Sequence, residues 1–241
     1  MGRYDRIAEL AELAQPGLQI ADLAAGQGRL TRALLTAAEP PARVHAVDIA
    51  SNLDDDVLDD VRVRSVLADL NEPLPFPDGV LHRVVSLNAA EHLVDPAAHL
   101  VECHRVLAPG GLMVFAHSDW DTALFAGDDD ALTRTLVNRF VQMVPTWAEL
   151  SDGFMGRKLL GLAMDSPFEV VRVATWADCH RRFDEDSVGW KVARGVLASC
   201  RGDAALTAAA TAWVQGLRKK AEAGRFLFSV TDVAVVLRRP A

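Results

Sequence analysis

Asp22 ends an apolar run and stands just ahead of Ala24, Gly26 and Gly28 in the stretch IADLAAGQGRL, residues 20–30. Closely spaced glycines before a helix let the backbone approach a ligand and point N–H groups at it. The carboxylate limits what that ligand can be. It would repel a pyrophosphate and suits a group that is cationic or donates hydrogen bonds. No Lys-Ser or Lys-Thr pair follows Gly28, which excludes a P-loop. Twenty residues after Gly28 comes Asp48, where a carboxylate can accept both hydroxyls of a ribose. These residues by themselves permit either a dinucleotide or an adenosyl ligand.

The elements that must position them alternate between strand and helix. Residues 3–14 place Ile7, Leu10, Ala11 and Ala14 on one helical face, and Pro16-Gly17 stops that helix. LQIADLA is a short buried strand. Residues 29–38 have helical spacing and end at Pro40-Pro41. RVHAVDIA (43–50), VRVRSVLADL (61–70), LHRVVSLNA (81–89) and LMVFAHS (112–118) read as strands. A helix over 97–107 and a turn at Pro109-Gly110-Gly111 precede the last of these. Strands this apolar are covered on both faces, the pattern of a parallel sheet between helices. Such sheets bind ligands at the carboxyl ends of their strands. Asp22, Asp48, Asp69, Asn88, and His117 with Asp119 all fall there. Beyond residue 118 the spacing predicts helices over 130–141, 157–164, 187–199 and 203–220, and a strand over 168–176. The chain should end, over 226–240, in a hairpin or one long edge strand.

Composition narrows the partners. The 241 residues carry a formal charge of -8, which disfavours binding along a nucleic-acid backbone. Arg181-Arg182 and Arg218-Lys219-Lys220 are the nearest approaches to basic patches and read as solvated helix faces or ends. Cys103, Cys179 and Cys200 are too dispersed for a disulfide framework or a CxxC metal site. The acidic runs SNLDDDVLDD (51–60) and GDDDAL (127–132) lack the loop pattern of an ion site and read as turns and helix starts, so no metal is expected. No stretch reaches about 18 uninterrupted apolar residues. The expectation is a soluble cytoplasmic protein with no nucleic-acid or membrane partner, monomeric or homodimeric.

From the first strand onward the sequence resembles the class I S-adenosylmethionine-dependent methyltransferases. The pieces that carry the likeness are IADLAAGQG, VHAVDIA and LADLNEPLPFPDGVLHRVVSLNAAEHLVDPAAHLVECHRVLAPGGLMVFA. The likeness spans about residues 18–118 and continues more weakly. HSDWDTALF and GRKLLGLA look like a small-molecule subgroup. The resemblance implies an α/β, Rossmann-like, mostly parallel seven-stranded sheet with helices on both faces and a helical cap insertion. Residues 1–118 would be the cofactor-binding half. Residues 119–241 would complete the same domain, with cap elements at 119–165 and 177–222 and C-terminal strands.

The resemblance also implies roles at S-adenosylmethionine. Asp22 would order the loop and help bind the methionine amino end. Ala24, Gly26 and Gly28 would let the backbone approach. Asp48 would take the ribose diol, with Ile49 against the adenine. Asp69 would accept the adenine amino group, with Leu70 beside it. Asn88 would sit near the sulfonium, and Ala89 and His92 would border the transfer zone. Ala24 stands where relatives have the first glycine, which is tolerable if its φ stays negative.

The implied reaction is methyl transfer to a small organic acceptor, at oxygen or nitrogen, with carbon also open. His117 is the first candidate for a general base because an imidazole titrates near neutrality. Asp119 and His92 complete the catalytic candidates. Trp120 could wall an acceptor pocket, and Asp121 could orient a polar acceptor. Arg139, Arg157, His180 and Arg181 could anchor an acid or a phenol. Phe125, Phe140, Met143, Trp147, Phe154, Met155, Met164 and Trp190 supply apolar cap surface. Alanine-, arginine- and aspartate-heavy usage resembles that of a high-GC bacterium and fits natural-product tailoring. Two rivals stand beside this reading. One is an NAD-dependent oxidoreductase, for which the only tyrosine, Tyr4, is badly placed. The other is a non-catalytic scaffold that kept the fold.

Overall fold

The computed structural model describes residues 2–143 and 152–241. Trp147 lies outside them. The first half runs α1 (Arg3–Leu10), β1 (Gln19–Leu23), α2 (Arg29–Ala37), β2 (Arg43–Asp48), α3 (Asp55–Leu58), β3 (Val63–Leu67), β4 (Leu81–Leu87), α4 (Pro96–Val106) and β5 (Leu107–Phe125). It continues with α5 (Asp130–Val141), α6 (Met155–Met164), β6 (Glu169–His180), α7 (Val188–Ser199), α8 (Ala204–Glu222) and β7 (Phe228–Arg238).

The strands form one seven-stranded sheet in the order β3-β2-β1-β4-β5-β7-β6. β1 to β5 pair in parallel, and β7 runs antiparallel to both its neighbours. The chain winds outward from β1 in one direction and from β4 in the other. The crevice between their carboxyl ends is therefore the topological switch point, where such sheets bind ligands.

Alternation along the strands divides two cores. Ile20, Val44, Val85 and Val114 face α1 and α2. Leu23, Val47, Val84 and Phe115 face α4 and α6. A third cluster belongs to the cap, where Leu136 of α5, Val196 of α7 and Trp213 of α8 close over Phe125 and Phe228. Each cap helix starts on a side-chain cap: Asp129 accepts from the Leu132 amide, Ser187 from that of Trp190, and Asp203 from that of Leu206. Removing such a cap typically costs about 1 kcal/mol. The acidic run at 127–132 is thus a helix start, and 51–60 carries the start of α3.

Three expectations change. The last strand is neither a hairpin nor an edge: β7 lies between β5 and β6, and β6 is the edge. β7 is buried along most of its length, whereas β6 alternates toward solvent. An unbroken apolar run marks a strand covered on both faces. Second, β5 begins before the Pro109-Gly110-Gly111 turn rather than after it: the turn is carried as an irregularity in the pairing with β4 between Leu107 and Leu112, where Gly110 has φ +75° and Gly110 and Gly111 exchange backbone hydrogen bonds with Arg239. Third, α6 lies on the sheet: Met155 and Leu159 join the α4 side, and a Cβ on Gly156 would come within 2.7 Å of Asp119. The cap is accordingly α5, α7 and α8, and Met155 is sheet core.

Candidate functional site

Two residues in left-handed conformation turn the chain at the switch point, one after β1 and one after β4. Ala24 has φ +61° and Asn88 φ +56°. The negative φ expected for Ala24 is not what the fold adopts. An alanine there costs roughly 1–2 kcal/mol, whereas asparagine tolerates the region well. Tight bonding of the loop holds the strained turn. The Gly26 amide donates to Asp48 Oδ2 at 2.8 Å, the Ala25 amide to Val47 O at 3.0 Å and the Gly28 amide to Ala25 O at 2.8 Å. The Ser118 amide in turn donates to Asn88 Oδ1 at 2.8 Å, tying β4 to β5 at the same level.

The glycines differ in what they do. Gly26 (φ +54°) would direct a Cβ into open space, with nothing within 4 Å. Gly28 (φ +81°) would drive a Cβ to 2.9 Å from Val57, so it packs α2 against α3. Gly26 faces the crevice; Gly28 faces the core.

The crevice holds two cavities that share Ala24 and Asn88. One, of about 560 Å³, is lined by Asp48, Ile49, Asp69, Leu70, Ala89 and His92 besides those two. Ile49 is 71% exposed, an apolar side chain presented to this space. Asp69 accepts from the Asn71 amide, and Asn71 Oδ1 accepts from that of Val94, so the far wall is braced. The other cavity, of about 370 Å³, is lined by Asp22, Gly26 and Leu30 from the sheet half and by Trp120, Phe140 and Val192 from the cap side. Arg3, Tyr4, Arg29 and Lys191 also face it.

Asp22 is buried and accepts from Thr31 Oγ1 at 2.6 Å. Burial, partly countered by that bond, and the nearby Asp48 charge push its carboxyl from 3.8 to about 7. Near neutrality the group is poised between its two forms and would be drawn to the charged one by a cationic ligand.

The polar residues after β5 are arranged differently from expectation. His117 is fully buried, and burial lowers its imidazole below the ordinary range. Its Nδ1 lies 2.7 Å from Ser118 O and its Nε2 faces Glu91 at 3.9 Å; it lines neither cavity. A base in contact with an acceptor needs hydrogen-bond reach of it, so His117 does not fill that role from this position. Asp119 is buried as well. It accepts from the Arg157 amide at 3.0 Å and pairs with that guanidinium through Nε and Nη2, each at 2.8 Å. Arg157 also reaches Asp121 at 2.8 Å. Asp119, Asp121 and Arg157 thus fasten α6 to β5, outside both cavities. Arg139 donates to Ser199 O and braces the cap. His180 and Arg181 line a third space beside the cap, which adjoins the smaller cavity through Arg3, Tyr4, Arg29 and Val188. Trp120 is in place: its ring lies edge-on to Phe140 and its Nε1 donates to Glu91 Oε2 at 2.8 Å.

Arg3, Tyr4, Arg29 and Lys191 were the residues missed as a group. Tyr4, dismissed as badly placed, reaches the smaller cavity because α1 packs beside α2 at the mouth of the crevice. One signal was available. Arg3 precedes Ile7 and Leu10 at helical spacing, which puts a cation on the buried face of α1.

Residues 21–115 match the family described as methyltransferase domain. That stretch contains β1 to β4 and the start of β5, with the loops that build the larger cavity. It is a class I S-adenosylmethionine-dependent methyltransferase domain. The chain is 30% identical over 166 residues to an uncharacterised 37.1 kDa protein in transposon TN4556 of Streptomyces fradiae, covering 66% of this chain and 46% of that one. It is 36% identical over 114 residues to the ubiquinone/menaquinone biosynthesis C-methyltransferase UbiE of Burkholderia orbicola (44% and 46% covered). Against the malonyl-[acyl-carrier protein] O-methyltransferase of Laribacter hongkongensis the identity is 36% over 157 residues (58% and 51% covered). The chain thus spans about half the length of these curated relatives. By structure, the methyltransferase domain and its cap match a geranyl diphosphate methyltransferase in complex with S-adenosylmethionine, with TM-score 0.54 and 14% identity over 98% of this chain and 84% of that one. They also match the [4+2]-cyclase SpnF, with TM-score 0.54 and 16% identity over 98% and 81%. At such identities the likeness is one of fold.

No helix of the described residues is long and apolar enough to cross a membrane.

Proposed function

We propose that this chain transfers the methyl group of S-adenosylmethionine to an oxygen, nitrogen or carbon atom of a small organic molecule. The observation that supports the reading is the pair of cavities meeting at Ala24 and Asn88, one bounded by strand-end carboxylates and the other closed by the cap. When bound, S-adenosylmethionine supplies an electrophilic methyl on sulfur and leaves as S-adenosylhomocysteine. The residues present fit it. Gly26 leaves room for a close approach, and Asp22 offers a buried carboxylate to the methionine amino group. Asp48 and Asp69 offer acceptors to the ribose diol and the adenine amino group, with Ile49 and Leu70 against the ring. Asn88 stands at the junction, beside the sulfonium position, and His92 borders it.

The chain's share of the chemistry is positioning. Holding nucleophile and methyl in line is worth up to about 7–11 kcal/mol in favourable cases. Trp120 and Phe140 form the acceptor wall and exclude water from it. An acceptor whose nucleophile is already neutral or anionic needs no base from the protein. A place in natural-product tailoring belongs to the same proposal, as do a cytoplasmic location and a monomeric or dimeric state.

Calorimetry with S-adenosylmethionine, S-adenosylhomocysteine and NAD tests the core of this. The expected result is micromolar binding of the first two and none of NAD; binding of NAD alone would return the oxidoreductase. The likeness to a cyclase favours a second reading, in which the fold binds its cofactor for other chemistry. Labelled-methyl transfer over a panel of small acceptors separates the two. Tight filter binding of tRNA or duplex DNA would defeat the small-molecule reading.

A further inference from the structure

β6 has no strand on its outer side among the described residues. It is long for an edge: Glu169–His180 has 12 residues, whereas β3 at the other edge has 5. An edge strand leaves a row of backbone N–H and C=O groups unpaired, and proteins commonly blunt it with lysine or proline. Glu169–His180 contains neither. One register shift interrupts its pairing with β7, between Val170 and Arg172. From Arg172 to His180 the pairing is regular, so side chains there alternate between the two faces.

The faces differ in chemistry. Arg172 lies opposite Val236 and Ala174 opposite Ala234, both in the core beneath α1 and α2. Trp176 and Asp178 continue that row. The Arg172 guanidinium has no ion-pair or hydrogen-bond partner among the described residues. The Asp178 carboxylate faces Arg6 Nε at 3.9 Å, beyond hydrogen-bond reach. On the other face Val173, Thr175, Ala177 and Cys179 are exposed. Leu160 and Met164 are also exposed, on α6, the helix that packs against β6.

We propose that β6 pairs with β6 of a second copy of this chain, antiparallel about a two-fold axis at Thr175, joining two seven-stranded sheets into one. Backbone and charge together fix this register. In an antiparallel pair alternate residues turn both N–H and C=O toward the same neighbour. A two-fold axis therefore brings bonding groups together only when it passes through a residue. With the axis at Thr175, Arg172 faces Asp178 of the second copy and Asp178 faces the second Arg172. An axis at Ala174 sets Arg172 opposite Trp176, and one at Trp176 sets it opposite His180. Only Thr175 matches the charges. The same register opposes the two Thr175 side chains and sets Val173 against Ala177 on the exposed face, and threonine and opposite-charge pairs are favourable across strands. Asp178, Cys179 and His180 also line the third space beside the cap, so the second copy brings its Arg172 to the rim of that space. The interface stands whether or not the methyltransferase reading holds.

Sedimentation of the full chain at micromolar concentration should give a dimer. Arg172→Glu sets like charges opposite one another at both symmetry-related positions and should weaken the dimer about tenfold or more, as should Asp178→Arg. The double exchange, Arg172→Glu with Asp178→Arg, should restore the wild-type affinity within about threefold, which separates lost pairing from lost folding. Cross-linking reads the register. In a Cys179→Ser background the remaining cysteines, Cys103 and Cys200, are buried. There Thr175→Cys should give a disulfide-linked dimer under mild oxidation, because facing Cα atoms lie about 4.5–5.5 Å apart. Val173→Cys, also exposed, should not, because it faces Ala177. A wild type that stays monomeric overturns the proposal. So does a dimer indifferent to both charge reversals, a double exchange that restores nothing, or a dimer that Val173→Cys cross-links and Thr175→Cys does not.

Discussion

The two walls of the crevice are built on different principles. The sheet wall is backbone and short side chains: Ala24 and Gly26 in left-handed turns, and carboxylates at the ends of strands or two residues beyond. Its geometry follows from strand register, and its polar groups are paired within and between the loops at the strand ends. The cap wall is made of long side chains from α1, α5 and α7 that converge from positions up to about 190 residues apart, among them Arg3, Phe140 and Lys191. Its α5 and α7 part is held by an apolar core of its own around Trp213, and Arg3 is held by Ser118 and Asp232. The contrast teaches that the second wall can change without disturbing strand register while the first cannot, which is what the proposed division between cofactor and acceptor requires.

Breaking the cap should leave the sheet wall working. Trp213 packs edge-on against Phe125 and donates to Thr133 Oγ1 at 2.9 Å. Trp213→Ala is expected to cost about 3–5 kcal/mol in chemical denaturation, and to weaken acceptor binding far more than S-adenosylhomocysteine binding. Equal losses of both would show that the two walls form one unit.

The glycines sharpen the comparison within the sheet wall. Gly26→Val should lower S-adenosylhomocysteine affinity about 100-fold, since its side chain enters the cavity, while stability falls only by what a left-handed residue costs, roughly 1–2 kcal/mol. Gly28→Val should reverse that order, losing stability first through the clash with Val57. Calorimetry beside thermal melts of the two variants checks the pair.

Asp22 adds a smaller, pH-dependent effect. Its carboxyl titrates near 7 in the folded chain and near 3.8 when unfolded. Below about pH 4 it is protonated in both states. Between there and about pH 7 the folded chain binds the extra proton, so this group's contribution to stability falls as pH rises. Asp22→Asn never ionises, so its stability relative to wild type should climb by about 1–3 kcal/mol between pH 4 and pH 8. Cofactor affinity should fall in the same variant. A flat difference in denaturation midpoints across that range would show that Asp22 is better solvated than its burial indicates.

The smallest effect belongs to Ala24→Gly. Glycine relieves roughly 1–2 kcal/mol of left-handed strain and adds back about 0.4–1 kcal/mol of unfolded-state entropy. The expected change is a stabilisation of at most about 1.5 kcal/mol, with cofactor affinity kept within about tenfold. A large gain in affinity would mean that the alanine methyl obstructs the cofactor.

Much of the sheet wall was legible because its signals are local. Asp22, Asp48, Asp69 and Asn88 fall at or just beyond strand ends that apolar runs announce, and all four line the crevice. His117 and Asp119 were misjudged for a related reason. They too end the readable part of a strand, but β5 runs on to Phe125 and pairs with β7, which buries both. β7 sits at the far end of the chain, and nothing near residue 117 signals that it returns there. Arg157 looked like an anchor for an acid and is instead committed to Asp119, a pairing across 38 residues.

By itself the sequence determined the alternation of strands and helices, the glycine loop with its carboxylate, and the family whose spacing these residues share. Those depend on interactions between near neighbours, which periodicity records. Only the tertiary structure decided that β7 is internal, that Ala24 is left-handed, that α6 belongs to the sheet and that Arg3, Phe140 and Lys191 face one cavity. Each of those depends on which distant segments exclude water from one another, and burial of that kind leaves no local pattern to read.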